Sequence, residues 1–222
     1  MHSTRFLRSP LALAALLACQ AYAQPLPGTA TVVNGTVNVQ RFTNGVQVTN
    51  TPGAIVHWDR FSIGAGNTVR FVQQSAGSAV LNRVTGNAAS QIHGALQSNG
   101  RVFLLNPNGI LFGAGARVDV AGLLASTLDI ADQDFLDGKY DFKCFNAIAC
   151  EGGVDALNPL NNRVVLEDGS QITTRNAGEG GQVWLIARDR VVTEKGSHIE
   201  APSGQVMAAT AREVSITSPT LG

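Results

Sequence analysis

The sequence predicts an all-β chain wound as a right-handed parallel β-helix, a single-stranded solenoid. Three observations carry that reading. From Thr29 onward, short runs of Val, Ile, Thr and Phe alternate with Gly, Asn and Ser every few residues, and helical periodicity is nearly absent. Three segments share Ser-x-Ile followed by Gly-x-Val: SQIHGALQSNGRVFLL from Ser90, SQITTRNAGEGGQVWLI from Ser170 and SHIEAPSGQVMAA from Ser197. The last two align without a gap in their second half, where Gly181-Gln182-Val183 meets Gly204-Gln205-Val206 at a step of 23 residues. A period of that size with three short strands per turn suits a coil that buries Val, Ile and Leu and pairs its backbone with the coils above and below. The competing all-β arrangement is a two-sheet sandwich.

The chain opens MHSTRFLRSPLALAALLACQAYAQ, with Arg5 and Arg8 ahead of an apolar stretch from Leu11 to Ala18, then Ala21-Tyr22-Ala23. This is the pattern of a secretory signal peptide, residues 1–23, cut after Ala23. The apolar stretch is shorter than the ~20 residues needed to span a bilayer. The Sec translocon is then the first expected partner. An alternative is a lipoprotein box, Leu16-Leu17-Ala18-Cys19, with Cys19 lipidated. Residues 24–222 form one domain, long enough for about eight or nine coils. The 222 residues carry a formal net charge of zero, so no basic face for nucleic acid is expected.

Within the repeat, Ile92, Ile172 and Ile199 form one expected inward ladder, and Val102, Val183 and Val206 another. The 16-residue step from Gly181 to Ser197 recurs from Gly100 to Ala116, which opens ARVDV. In the same register Asn106-Pro107-Asn108-Gly109-Ile110 falls against Ala187-Arg188-Asp189-Arg190-Val191, at a corner between two strands. Pro107 pre-sets φ, and Asn108-Gly109 can take positive φ. Leu105 would end one inward strand and Ile110 begin the next.

The repeat breaks from about 129 to 162, an expected loop insertion. DIADQDFLDGKYDF reads as a short helix with Asp129 as its cap, Asp132 and Asp134 in its first turn, and Phe135 and Leu136 packed down. Asp132, Asp134 and Asp137 miss the spacing of a calcium-binding loop. If Cys19 leaves with the signal, Cys144 and Cys150 remain as an even pair in an oxidising compartment, which favours a disulfide between them. His57, His93 and His198 are scattered, so no metal site is expected. No cofactor is expected either.

One long stretch, Ile55 to Phe142, resembles the N-terminal secretion domain of two-partner secretion exoproteins, the filamentous-haemagglutinin and high-molecular-weight adhesin group. The resemblance rests on Trp58-x-x-Phe61-x-Ile63-Gly64, Leu81-Asn82-Arg83-Val84-Thr85-Gly86, Asn106-Pro107-Asn108-Gly109-Ile110, Ala125-Ser126-Thr127-Leu128-Asp129 and Asp134-Phe135-Leu136. It implies an N-terminal cap and extra-helical hairpins on the β-helix. It also implies recognition in the periplasm by the POTRA domains of a cognate outer-membrane β-barrel transporter. Export would be in the unfolded state, with folding at the surface of a Gram-negative bacterium. Asn106, Pro107, Asn108, Gly109 and Ile110, with Asn82 and Arg83, are the residues the resemblance marks for transporter recognition or folding. The companion Asn-Pro-Asn-Leu motif is absent, which places the chain nearer the adhesin branch. Such exoproteins usually run far longer, so a chain ending at Gly222 is either part of a longer protein or an unusually short member.

Two functions from different classes follow: a secretion-targeting domain, or an adhesin module that binds a host-cell receptor, glycan or protein. An enzyme is not expected. Asp59, Asp119, Glu167, Asp168, Glu194 and Glu200 do not recur at the 23-residue step, so they do not stack into one catalytic face, and no nucleophile elbow or His-Glu-x-x-His run occurs. His57-Trp58-Asp59 reads as packing and cap contacts, and Arg188-Asp189-Arg190 as a solvated turn.

Overall fold

A computed structural model describes residues 26–144, 158–175 and 181–216. Residues 1–23, read as a signal peptide, and Cys150 lie outside the described residues.

The strands form where β-branched and aromatic residues alternate with polar ones. In Thr68–Val72, Val69 and Phe71 are buried while Arg70 and Val72 face out. The chain enters through β1 (Ala30–Asn34) and β2 (Val37–Phe42). Coils then follow in a fixed order of faces. The first contains β3 (Gly45–Asn50) and β4 (Ala54–Trp58), and the second β5 (Thr68–Val72), β6 (Ala79–Val84) and β7 (Ser90–Ile92). The third holds β8 (Ala95–Ser98), β9 (Arg101–Leu105) and β10 (Ile110–Phe112). The fourth begins with β11 (Arg117–Val120) and β12 (Gly122–Ser126), leaves the solenoid for β13 (Asp129–Ile130), α1 (Asp132–Leu136) and β14 (Tyr140–Lys143), and returns at β15 (Arg163–Leu166). Next come β16 (Gln171–Thr174), β17 (Gln182–Ala187) and β18 (Arg190–Thr193), then β19 (His198–Glu200) and β20 (Gln205–Thr210). β21 (Glu213–Ile216) turns back to pair with β14.

Three stacked sheets result, each taking at most one strand from a coil. The first runs β4-β6-β9-β12-β17-β20, parallel throughout. Six coils are therefore wound among the described residues, fewer than the eight or nine expected from length. The difference lies in the cap and the insertion, which use chain without winding it. Val183 pairs with Val206, 23 residues on, whereas Leu123 pairs with Val183, 60 residues on.

The ladder Val102-Val183-Val206 is paired in register, with Leu123 between its first two members; Val102, Leu123 and Val183 are buried, but Val206, in the last coil, is 53% exposed. The other expected ladder is corrected. Ile172 and Ile199 stack with Val118 and Leu96, while Ile92 belongs to a different face and pairs with Ile63 and Phe112. Both corners call for a serine before an inward isoleucine, but the hydroxyls serve differently. Ser170 and Ser197 bond back to the carbonyls of Glu167 and Glu194, whereas Ser90 receives the Asn106 amide. The same three-letter pattern thus marks two faces.

Inside the coils, Val, Ile, Leu and Phe from all three faces form one core. Each fully buried side chain of this kind contributes about 1.5–3 kcal/mol. The N-terminal end is closed: β1 pairs antiparallel with β4 and β2 with β3, and Leu26, Val37 and Val39 pack on the core.

A second core lies outside. On the outer face of the first sheet, Ile55, Leu81, Phe103, Leu124, Trp184 and Met207 form one column, residue over residue. An extra-helical sheet, β13-β14-β21, covers it with α1. Phe103 meets Phe135 edge-on at 5.2 Å between ring centroids, and Tyr140 meets Trp184 edge-on at 5.9 Å. Leu105, expected inward, faces this outer cluster; Leu104 points into the coil instead. Phe135 is buried as expected but Leu136 is exposed. The helix begins at Asp132 after Ala131, with no side-chain cap, so Asp129 is not its cap.

Candidate functional site

The corner at residues 106–110 is a turn built by its own amides. Leu105 pairs with Ser126 and Ser126 with Ile186, while Ile110 pairs with Val164 and Val164 with Val191, so the motif does stack over residues 187–191. The Gly109 N–H donates to the Asn106 carbonyl at 3.1 Å, closing a β-turn with Pro107 and Asn108 at its centre. Asn106 Oδ1 accepts the Asn108 N–H at 2.9 Å, an Asx turn over the same residues. Positive φ is needed only at Gly109, at +107°.

This turn is clamped from both neighbouring coils. Below, Asn106 Nδ2 donates to the Ala88 carbonyl and to Ser90 Oγ, and Asn108 Nδ2 donates to the Gly86 carbonyl. Above, Asn158 Nδ2 donates to the Asn108 carbonyl and the Asn162 N–H to the Pro107 carbonyl. Asn106 is fully buried, Gly109 and Ile110 are buried, and Pro107 alone of the five is exposed. A buried amide with every hydrogen donated is a structural part of considerable value, because each lost partner leaves an unsatisfied group.

Asn82 sits inside the solenoid, in the column between Val56 and Leu104. Its side chain is fully buried. Oδ1 accepts the Trp58 indole N–H at 3.0 Å, and Nδ2 donates to the Phe103 carbonyl at 3.2 Å. A polar pair of this sort in an apolar column is satisfied only in one register, since a slip of one coil would strand both groups.

The next residue faces the other way, as strand geometry requires. Arg83 projects onto the outer face of the first sheet, its side chain 14% exposed. Its guanidinium holds the extra-helical insertion at three points. Nε donates to Asp129 Oδ1 at 2.8 Å, Nη1 to Asp132 Oδ1 at 2.7 Å, and Nη2 to the Ile130 carbonyl at 2.6 Å. Nη1 also lies 2.8 Å from His57 Nε2. Burial opposes the charge on Arg83, but Asp129 and Asp132 more than offset it and hold the guanidinium above its ordinary pKa. Burial pushes His57 the other way, below the usual imidazole value, and the Arg83 charge adds to that shift.

The residues marked from sequence thus form three separate structures: a stacked corner, an internal register pair and an external clamp. The clamp partners His57, Asp129 and Asp132 were not legible as such. An arginine within a strand of mostly apolar residues was the available signal. Trp58 is buried, and Asp59 Oδ1 accepts the Thr29 N–H at 2.8 Å, consistent with packing and cap roles. Arg188-Asp189-Arg190 is only partly solvated, because Asp189 pairs with Arg163 at 2.8 Å. Cys144 is disulfide-bonded.

Known proteins agree with this architecture. The crystal structure of the HMW1 secretion domain from Haemophilus influenzae superposes with a TM-score of 0.69 at 30% identity, covering 86% of this chain and 46% of that one. Two heme/hemopexin-binding proteins of Haemophilus influenzae are 44% identical over 114 residues and 40% identical over 113. These alignments take in about half of this chain but only 13% and 12% of the relatives. Residues 23–221 match the family model described as the TPS secretion domain, and the chain belongs to that family.

Proposed function

We propose that the chain is the secretion-targeting domain of a longer exoprotein and has no catalysis of its own. Its residues 1–23 take it through the Sec translocon. In the periplasm the POTRA domains of a cognate outer-membrane β-barrel transporter bind it while it is still unfolded, and the coils wind once it emerges at the cell surface. The observation that carries this reading is the complete burial of Asn106, whose amide hydrogens both bond within the coil stack. A partner can read that amide only before the coils close. Once outside, the same bonds help nucleate the winding, since they tie this corner to the coil below while Asn158 and the Asn162 N–H tie it to the coil above.

The test compares the two states of one chain. Isolated POTRA domains should bind the chain freshly diluted from denaturant and bind the refolded domain at least about tenfold more weakly, a difference of 1.4 kcal/mol. In cells lacking the barrel, the mature chain should stay in the periplasm or be degraded. Equal POTRA binding by the folded form, or efficient release without the barrel, would overturn the proposal.

A further inference from the structure

The outer face of the sheet made by β3, β5, β8, β11 and β16 is polar, in contrast with the apolar face under the hairpin. Register places Gln47, Arg70, Gln97, Asp119 and Thr173 in one outward row, one residue per coil. Two hollows lie along this row. One of about 630 Å³ is bounded by Arg70, Gln97, Asn99, Asp119 and Arg175. The other, about 350 Å³, lies between Phe42, Gln47, Thr68 and Arg70. Arg70 lines both, so the two hollows adjoin along the row and form one shallow trough with Arg70 at its middle.

Its polar groups are linked in two pairs. Arg70 Nε and Nη2 donate to Gln97 Oε1 at 3.1 and 2.7 Å, which leaves the Gln97 amide nitrogen as a donor. Arg175 Nε lies 3.0 Å from Asp119 Oδ1. Arg70 Nη1 and the two terminal nitrogens of Arg175 have no hydrogen-bond partner among the described residues. Two guanidinium groups against one carboxylate leave the trough positive in a chain whose formal net charge is zero. At its far end Phe42 is 60% exposed.

We infer that this trough binds an extended, carboxylate-bearing glycan, a chain containing uronic acids. Adjacent coils are about 4.8 Å apart, close to the length of one hexose in an extended chain, so successive coils meet successive sugars. Gln47, Gln97 and Asp119 pair with ring hydroxyls, Arg70 and Arg175 take the carboxylates through their unpartnered nitrogens, and Phe42 packs against the apolar face of a terminal sugar. This inference does not depend on the secretion reading.

The test uses the full exported chain, titrated calorimetrically with an oligogalacturonate of about ten sugars, a cello-oligosaccharide of equal length and a polyglutamate of equal charge. The oligogalacturonate should bind, and Arg70→Ala and Arg175→Ala should each weaken it at least about tenfold with the melting temperature unchanged. Arg70→Gln serves if the alanine variant folds poorly. No binding of the oligogalacturonate, equal binding of either control polymer, or undiminished binding by both arginine variants would overturn the inference. Export of the same variants, measured separately, reports on the secretion domain alone.

Discussion

Arg83 Nη1 stands 2.8 Å from His57 Nε2, and because arginine has only hydrogens to offer, the imidazole must accept through a bare Nε2. Protonating His57 would remove the acceptor and set an imidazolium against a guanidinium. Burial first, and Arg83 second, hold its folded pKa below the unfolded value of 6.5, while Asp132 and Asp129 act in the opposite sense. The unfolded state therefore binds more protons below that value. Stability from this group is complete above about pH 6.5 and declines as pH falls. We expect the melting temperature to drop between pH 7 and 5, with amide protection, corrected for the intrinsic exchange rate at each pH, falling first in β13 and β14. His57→Gln, which keeps an acceptor without a titrating ring, should flatten that part of the profile.

Arg83→Ala would leave Asp129 and Asp132 without their counter-charge and the Ile130 carbonyl without its donor. A loss of about 3 kcal/mol is expected for breaking a partly buried pair of this kind. Arg83→Lys should recover little of it, because one ammonium cannot span four acceptors in a fixed fork. Chemical denaturation of the three proteins checks the order.

Two glycines separate backbone conformation from crowding. Gly109, at φ +107°, would place a Cβ 2.0 Å from the Leu160 carbonyl oxygen, whereas Gly138, at φ +68°, would meet nothing within 4 Å. Gly138→Ala should cost about 1 kcal/mol and Gly109→Ala at least twice that, because the coil above must also shift. Melting temperatures of the two variants decide it.

Asn106→Ala removes two donated hydrogens and the acceptor of the Asx turn from a buried site, so about 2–3 kcal/mol should be lost on refolding in vitro. Pro107→Ala, at the exposed tip, should cost less than 1 kcal/mol. Under the proposed function the buried asparagine, not the exposed proline, should also govern the secreted fraction. Normal secretion of Asn106→Ala would remove the motif from export.

Cys144 and Cys150 should be joined in the exported chain, leaving it lighter by two hydrogens in non-reducing mass spectrometry. Two alkylatable thiols in freshly exported protein would contradict the pairing. Closing so short a ring should be worth about 2 kcal/mol.

The linear order of residues determined the class of this protein, because inward and outward positions alternate locally and repeat with the coil. The 23-residue step between Val183 and Val206, the 16-residue step that brings Ala116 over Ser170 and Ser197, and the corner at Asn106 all follow from that arithmetic. Ile92 shows its limit: a serine and an isoleucine satisfy the corners of two different faces equally well, and only the stacking of complete coils decides between them. Arg83 and Asp129 show it more sharply. They are 46 residues apart, and nothing periodic links an outward arginine to the acid of an insertion that has left the repeat. That pairing exists because six coils present a broad apolar column on one outer face, which must be covered by something. The insertion supplies the cover as a hairpin and helix, and the charged clamp at its edge follows from where that cover lands. Burial of long-range surface, which no local pattern encodes, made that choice.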